Sequence, residues 1–356
     1  MAVARTLDEV AAIVGVSRAT VSRVVNGGPV SAATRDRVLS ALQNTGYRPN
    51  IAARTLASGR SGVVGVVMHV DPYALFGDAY FSELLQGITD GLASRAMGMM
   101  VWLGNRTKEE TLEHILGMGL LDGVIVTADM IEDPLVDGLI ASPLPTVLIG
   151  HRSGDGGASF VDVDHALGAE RAIDHLVEIG RTRIGHVCGR RRTVAAEARL
   201  AGFRRATTRA GLLEDGLVAQ GDFEEASGGS AASELAARGA DAIFCANDAM
   251  AAGALEALRR DGVRVPEDVA VVGFDDLPFA ARLDPPLTTI RQGVREQGAR
   301  AAEILFDLVR DAERPAPGVI LPTELVVRGS TLPSAEPSFD RMEGHVSECR
   351  SEQRRG

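Results

Sequence analysis

The stretch TLDEVAAIVGVSRATVSRVVNG, residues 6–27, decides the first part of the fold. Thr6 followed three residues later by Glu9 forms a capping box, in which the hydroxyl accepts from the Glu9 amide and the Glu9 side chain reaches back. Val10, Ile13 and Val14 fall on one face of the helix that follows, and Gly15 gives a tight turn. Ser17 is placed to cap a second helix, which Val21, Val24 and Val25 line on its inner side. Arg18, Ala19, Ser22 and Arg23 are left pointing outward, on the face that a recognition helix presents to a DNA major groove.

Charge supports this reading independently. The chain has 37 basic and 48 acidic residues, a net −11. Its first 60 residues carry eight arginines against three acids, +5, so the remainder stands at −16. A basic end on an acidic protein suits a phosphate-binding module attached to a polar sensor. Lys108 is the only lysine, but a codon bias toward arginine explains that as well as any preference for bidentate contacts.

The string VSRVVNGGPVSAATRDRVLSALQNTGYRPNIAARTLASGRSG, residues 21–62, adds a third helical stretch and a Y-x-P-N junction at Tyr47, Pro49 and Asn50. On these residues the chain resembles the lactose-repressor (LacI/GalR) family of bacterial transcription regulators. The resemblance implies a role for each position. Arg18 and Ala19 fall where the family reads base edges. Arg18 suits a bidentate contact to guanine, worth about 1–3 kcal/mol of discrimination, while Ala19 can at most touch a thymine methyl. Arg23 is a base or phosphate contact. Ser17, Thr20, Ser22 and Asn26 are phosphate contacts that fix register. Thr6, Tyr47, Asn50 and Arg54 complete the DNA-facing set.

Asn50 also caps the short run Ile51–Ala57, which ends near Gly59. A helix of this length is unstable alone in water. The resemblance implies that it folds on DNA and pairs with its twin across a dimer axis, pushing Leu56 into the minor groove as an apolar wedge.

Beyond residue 62, β-branched runs alternate with amphipathic stretches. The runs are GVVGVVMHV (62–70), MGMMVWL (97–103), DGVIVTA (122–128), PTVLIG (145–150), SFVDVD (159–164), RIGHVCG (183–189), AIFCAN (242–247) and VAVVGFDD (269–276). Such alternation predicts parallel sheets with helices on both faces. About 270 residues are too many for one such sheet, so two α/β lobes are expected. The chain should change lobe near 160–165 and cross again at LTTIRQ (287–292) and at a strand near 319–327. The fold class is therefore a small all-α helix-turn-helix headpiece plus an α/β, two-lobed, periplasmic-binding-protein-like sensor domain. The expected divisions are a headpiece at 1–49, a hinge at 50–61, an effector-binding and dimerisation domain at 62–332, and a disordered tail at 333–356, where Pro, Ser and charge replace periodicity.

By the same resemblance, a ligand sits in the cleft between lobes at the carboxyl ends of the strands. EARLAGFRRA (197–206) matches the segment whose arginine clamps the effector, here Arg199. FCANDAMAAGALEAL (244–258) gives Asn247 and Asp248, and VVGFDDLPFAARLDPPLTTI (271–290) gives Asp275 and Asp276. Donors and acceptors of this kind at strand ends suit sugar hydroxyls. Arg199, Asn247 and Asp275 are the expected effector contacts; the alternative for Asn247 or Asp248 is the N-cap of the next helix, and Asp276 reads as structural because adjacent strand residues face opposite ways. Tyr80, Phe81, Phe160 and Phe223 are candidates for stacking on a ligand ring, each with core packing as the alternative. After PTVLI, where sugar-binding relatives often carry an acid, this chain has Gly150, His151 and Arg152. His151 and Arg152 could meet an acidic or phosphorylated ligand, or His151 could simply close a loop.

The chain offers no HExxH, GxSxG or P-loop pattern and no spaced set of metal ligands, so neither an enzyme nor a cofactor is expected. Three widely spaced cysteines, no apolar leader and no membrane-length run point to the cytoplasm, in association with the nucleoid. No leucine heptad closes the chain, so a homodimer is expected and not a tetramer. Its partners would be double-stranded operator DNA and a sugar-like small-molecule effector. A solute-binding receptor without a DNA role, or a sensor of an acidic or phosphorylated metabolite, is the alternative.

Overall fold

The computed structural model describes residues 6–25, 28–47, 60–68, 75, 77–95, 97–103, 107–152, 154, 157–213, 215–311 and 317–332. Asn26, Asn50, Arg54, Leu56, most of the 50–61 hinge and the 333–356 tail lie outside them.

The headpiece is three helices, α1 (Leu7–Val14), α2 (Arg18–Val25) and α3 (Ala32–Thr45). The Thr6 hydroxyl accepts from the Glu9 amide at 3.2 Å. Gly15, at φ 69°, ends α1 and returns its amide to the Ala11 carbonyl. The core is Val10, Ala11, Val21, Val24, Val38 and Ala41, with Leu7, Val14, Val16, Val25 and Tyr47 packed around it. Arg37 donates to the Val14 carbonyl at 2.8 Å and pins α3 to the end of α1. Ile13 departs from the expected buried face and is 56% exposed. The stripe that packs is Leu7, Val10, Ala11 and Val14. Ile13 lies about 110° from its centre at 3.6 residues per turn.

Two compact α/β units follow. The first combines residues up to Asp164 with Arg192–Ala195 and Gly293–Pro322, and the second takes His165–Arg191, Ala196–Gln292 and the residues from Thr323 onward. The chain therefore changes unit at Asp164–His165, within the window read from the sequence.

The first unit holds β1 (Val63–Met68), α4 (Ala79–Ala93), β2 (Gly98–Leu103), α5 (Lys108–Met118), β3 (Gly123–Thr127), α6 (Pro134–Ala141), β4 (Thr146–Ile149) and β5 (Ser159–Val163). The second begins with α7 (His165–Glu178), β6 (Ile184–Cys188), α8 (Val194–Ala210, whose first two residues group with the first unit), β7 (Val218–Gln220), α9 (Glu225–Ala237), β8 (Ala242–Cys245), α10 (Asp248–Arg260), β9 (Ala270–Asp275) and β10 (Thr288–Arg291). Then α11 (Val294–Arg310) and β11 (Gly318–Leu321) return to the first unit, and β12 (Glu324–Val326) belongs to the second.

Among the described residues the first sheet runs β11-β5-β4-β3-β1-β2 and the second β12-β10-β9-β8-β6-β7. Every pairing is parallel except β10 with β12. The single strand expected near 319–327 is two short strands, one in each sheet, because Pro322 ends β11 at the crossover. The three-residue edge strand β7 escaped the sequence reading, since so short a run carries no period.

The inner strands of both sheets are buried, so they read as continuous apolar runs. In the first, Val67, Val124, Val126 and Leu148 pack on Ile115, Leu135 and Leu139. In the second, one face packs Val187, Ile243, Cys245 and Val271 against Leu235, Met250 and Leu258. The other packs Ile184, Phe244, Val272 and Phe274 against Ile173, Leu176 and Phe203. Burial pushes the Cys188 thiol up to about 11 and the Cys245 thiol higher still, so both stay protonated as small apolar groups.

Candidate functional site

On α2 the residue pattern separates cleanly into two sides. Val21 and Val24 are buried, while Ser17, Arg18, Ala19 and Arg23 are exposed and Thr20 and Ser22 half-buried. The Ser17 hydroxyl accepts from the Thr20 amide at 3.2 Å and lies 2.9 Å from the Thr20 hydroxyl, so it caps α2. Arg18 Nε is 3.9 Å from Asp8 Oδ2 with both side chains largely in solvent. Such a pair contributes little and leaves the guanidinium available to another acceptor. Thr6 stands at the start of α1, and Tyr47, beyond α3, packs on the headpiece core.

The second unit gathers a different kind of site. Arg199, on α8, is 3% exposed. Its Nη1 donates to the Ala246 carbonyl, and its Nη2 is 3.2 Å from His165 Nδ1 and 3.7 Å from Asp275 Oδ1. Its guanidinium carbon lies 3.7 Å over the Phe274 ring centre. Gln292 Nε2 donates to Asp275 Oδ1 at 2.5 Å. Arg199, His165, Asp275 and Gln292 are thus one network at the carboxyl end of β9, built from α8, the start of α7 and the residue after β10. Asp275 has φ 120° and Asp276 φ 58°, a strained backbone for side-chain-bearing residues that turns the strand end sharply.

The neighbouring acids have separate duties. Asp276 accepts from Arg291 Nε at 2.7 Å and Arg328 Nη2 at 2.6 Å, a structural clamp on the end of β10. Asp248 is fully buried, accepting from the Leu277 amide at 2.8 Å and the Thr289 hydroxyl at 2.5 Å. Burial pushes its carboxyl pKa up. A Cβ on Gly273 would come within 2.4 Å of Asp248 Oδ1, so that position needs glycine.

Asn247 caps α10: its Oδ1 accepts from the Met250 amide at 2.9 Å and its Nδ2 donates to the Phe223 carbonyl at 2.9 Å. Both ends of the amide are engaged in shaping the turn. The Phe223 ring packs on the core beside Gly189, where an added Cβ would lie 2.1 Å from it.

In the first unit, Tyr80 and Phe81 meet edge to face at 5.3 Å near the start of α4, both half-buried. Asp78 caps that helix through the Tyr80 amide at 2.8 Å, and burial raises its carboxyl pKa. His151 stacks on Phe160, with ring centres 4.4 Å apart and planes 13° from parallel. That face of Phe160 is therefore covered by the histidine. Arg152 is bound to Asp137 at 2.6 Å. His165, Gln292 and Asp162 were missed by the sequence reading. Each belongs to a run read as strand or crossover, and nothing in that local pattern marks it as polar machinery.

Among the described residues no helix is long and apolar enough to cross a membrane. Residues 6–50 match the model for bacterial regulatory proteins of the lacI family, and residues 173–331 match a periplasmic binding protein-like domain. The transcriptional regulator CelR of Thermobifida fusca is 38% identical over 332 residues, covering 91% of this chain and 98% of its own. GalR of Escherichia coli is 33% identical over 342 residues, covering 94% of this chain and 98% of its own. A structure of a CelR–cellobiose complex superposes with a TM-score of 0.72 at 36% identity, covering 92% of this chain and 100% of that one. The Lac repressor dimer bound to operator and the anti-inducer ONPF superposes at 0.81 with 30% identity, covering 92% and 99% of the two chains. A helix-turn-helix headpiece on a two-lobed α/β domain defines a DNA-binding transcriptional regulator and not an enzyme. This chain belongs to the LacI family of bacterial regulatory proteins.

Proposed function

We infer that the protein is a homodimeric, ligand-responsive regulator, acting as a repressor on a two-fold-symmetric operator in the cytoplasm. Its effector is a neutral, hydroxyl-rich molecule of the sugar type. The DNA-facing reading rests on α2, whose exposed Ser17, Arg18, Ala19 and Arg23 stand opposite buried Val21 and Val24. Arg18 reads a guanine, and Ser17, Thr20, Ser22 and Arg23 hold the phosphate backbone. Asn26 adds a further phosphate contact, and Asn50, Arg54 and the Leu56 wedge extend the contact through the hinge. Dimer symmetry repeats each half-site.

The effector reading rests on the buried network of Arg199, His165, Asp275 and Gln292, a mixed set of donors and acceptors at a strand end. Such a set suits hydroxyls and rejects a ligand lacking them. The cellobiose held by a 36% identical relative supports the same class of ligand. An acidic or phosphorylated ligand is less well served, since Arg152 is paired with Asp137. Ligand and operator are then reciprocally coupled, by about 1–3 kcal/mol in typical cases.

The test is selection of genomic fragments on full-length protein at near-physiological salt, with and without cellobiose. The expected result is an enriched palindrome whose retention changes when the sugar is added. Fragments enriched no better than nonspecific DNA in either condition would overturn the reading.

A further inference from the structure

The position just past β4 carries no side chain, because Gly150 occupies it at φ 84°. The next residue, His151, is held in an unusually complete way. Asp162 Oδ2 accepts from the His151 backbone amide at 3.1 Å and lies 2.7 Å from His151 Nδ1. Asp162 Oδ1 accepts from the Val163 amide at 2.8 Å. The Asp162 side chain is only 2% exposed, whereas that of His151 is 42% exposed. Phe160, two residues earlier on the same side of β5, lies flat against the imidazole. The Phe160 ring is itself seated over Gly318 of β11, where an added Cβ would fall within 2.5 Å. Asp162 therefore fixes one edge of the imidazole and Phe160 fixes its plane, while the side chain as a whole stays part-exposed.

A carboxylate oxygen only accepts, so Nδ1 carries the hydrogen, and in the neutral ring Nε2 holds a lone pair. His151 sits at the carboxyl edge of a parallel sheet, where open α/β sheets take their ligands. We propose that Asp162 is a positioning residue. It locks His151 as the Nδ1–H imidazole, so that Nε2 accepts a hydroxyl hydrogen from the effector. This rests on the sugar-type reading above. A carboxylate at the strand end would accept several hydroxyls and attract cations. The locked imidazole accepts one hydroxyl, in one direction and without charge, which makes it a selector for the orientation of a single ligand hydroxyl.

The experiment has two arms on full-length protein. First, histidine-labelled protein is observed by long-range 1H–15N NMR at mildly alkaline pH, with the His151 signal assigned through His151→Gln. The expected tautomer is Nδ1–H, shifting to Nε2–H or a mixture in Asp162→Ala. Asp162→Asn keeps the size and an acceptor and should give an intermediate mixture if the first variant fails to fold. Second, cellobiose and a panel of neutral mono- and disaccharides are titrated by calorimetry. For a sugar that binds, His151→Ala and Asp162→Ala should each weaken affinity about tenfold, the equivalent of one lost hydrogen bond. The double variant should lose no more than either alone, and His151→Gln, which retains an acceptor, should recover part of the loss.

An Nε2–H tautomer in the unaltered protein overturns the proposal, as does unchanged sugar affinity in His151→Ala; in both cases the sugar-type reading stands. Failure of every sugar to bind the unaltered protein overturns the sugar-type reading and the hydroxyl role with it, while an Nδ1–H signal would still uphold the lock by Asp162.

Discussion

The headpiece and the second α/β unit treat their arginines in opposite ways. Arg18 and Arg23 project from α2 into solvent, and Arg18 meets only a weak, exposed carboxylate. Arg199 is buried, lies on an aromatic face and is engaged by a carbonyl, a histidine and a carboxylate. The targets proposed for them account for the difference. A polyanion attracts exposed charge over roughly a Debye length of ~8 Å, and long free side chains adapt to its groove. A small ligand is recognised in a dry site, where every buried polar group must already be aimed and satisfied. An exposed guanidinium can therefore be removed without harming the fold, whereas a buried one cannot.

The sharpest break of this comparison is Arg199→Ala. Removing one member of a buried charged network leaves Asp275 without its cation, and the expected loss is about 3–5 kcal/mol. Denaturant unfolding checks it; a loss below about 1 kcal/mol would place Arg199 with the exposed arginines.

One buried histidine of the second unit should make stability depend on pH in a way the headpiece does not share. His186 is fully buried between Phe203 and Phe244, at 5.0 and 4.9 Å, and donates from Nδ1 to the Phe244 carbonyl, 2.9 Å away. Burial lowers its pKa from 6.5 to about 4. The unfolded chain takes up this proton below 6.5 while the native state resists until about 4. The contribution is therefore present in full above 6.5 and is lost as pH falls through that window, by about 3 kcal/mol. Asp248 acts in the opposite sense, because its raised pKa lets the native state keep a proton that the unfolded chain releases. His186→Phe isolates the first effect. Stability measured from pH about 7 to about 4 should fall less steeply in that variant, and an unchanged slope would remove His186 as the cause.

Smaller effects are expected on the headpiece. Arg18→Ala should relax preference at one base pair per half-site by about 1–3 kcal/mol, while Arg23→Ala should weaken binding to all sequences alike. Binding profiles on operator variants separate the two, and a profile unmoved by Arg18→Ala removes that residue as a reader. The smallest effect is at Ile13. Ile13→Ser should change stability by less than about 0.5 kcal/mol, whereas Val21→Ala, in the core, should cost about 1–3 kcal/mol. A large loss at Ile13 would show that its exposed side chain is covered in the working protein.

These contrasts also mark where the sequence was legible. In the headpiece nearly everything was local: the Thr6 cap, the Gly15 turn, the Ser17 cap and the valine spacing are each set within about one turn of chain. Ile13 misled because an eight-residue helix admits more than one apolar stripe, and only packing on α3 selects among them. The eight apolar runs gave the strands, since buried parallel strands announce themselves by composition. Arg199 and Asp275 were legible only through likeness to the family. Asn247, read with Arg199 and Asp275 as an effector contact, has its amide engaged at both ends by the turn it caps.

The sequence by itself determined the elements, the basic headpiece and the family, because capping, periodicity and charge act between near neighbours. Tertiary structure alone decided which polar groups meet. His165 reaches Arg199 across 34 residues, Gln292 reaches Asp275 across 17, and Asp162 reaches back 11 to His151. No local pattern specifies such partners. They are chosen when parallel sheets bring distant strand ends to one edge, and burial there penalises any polar group left without an answer.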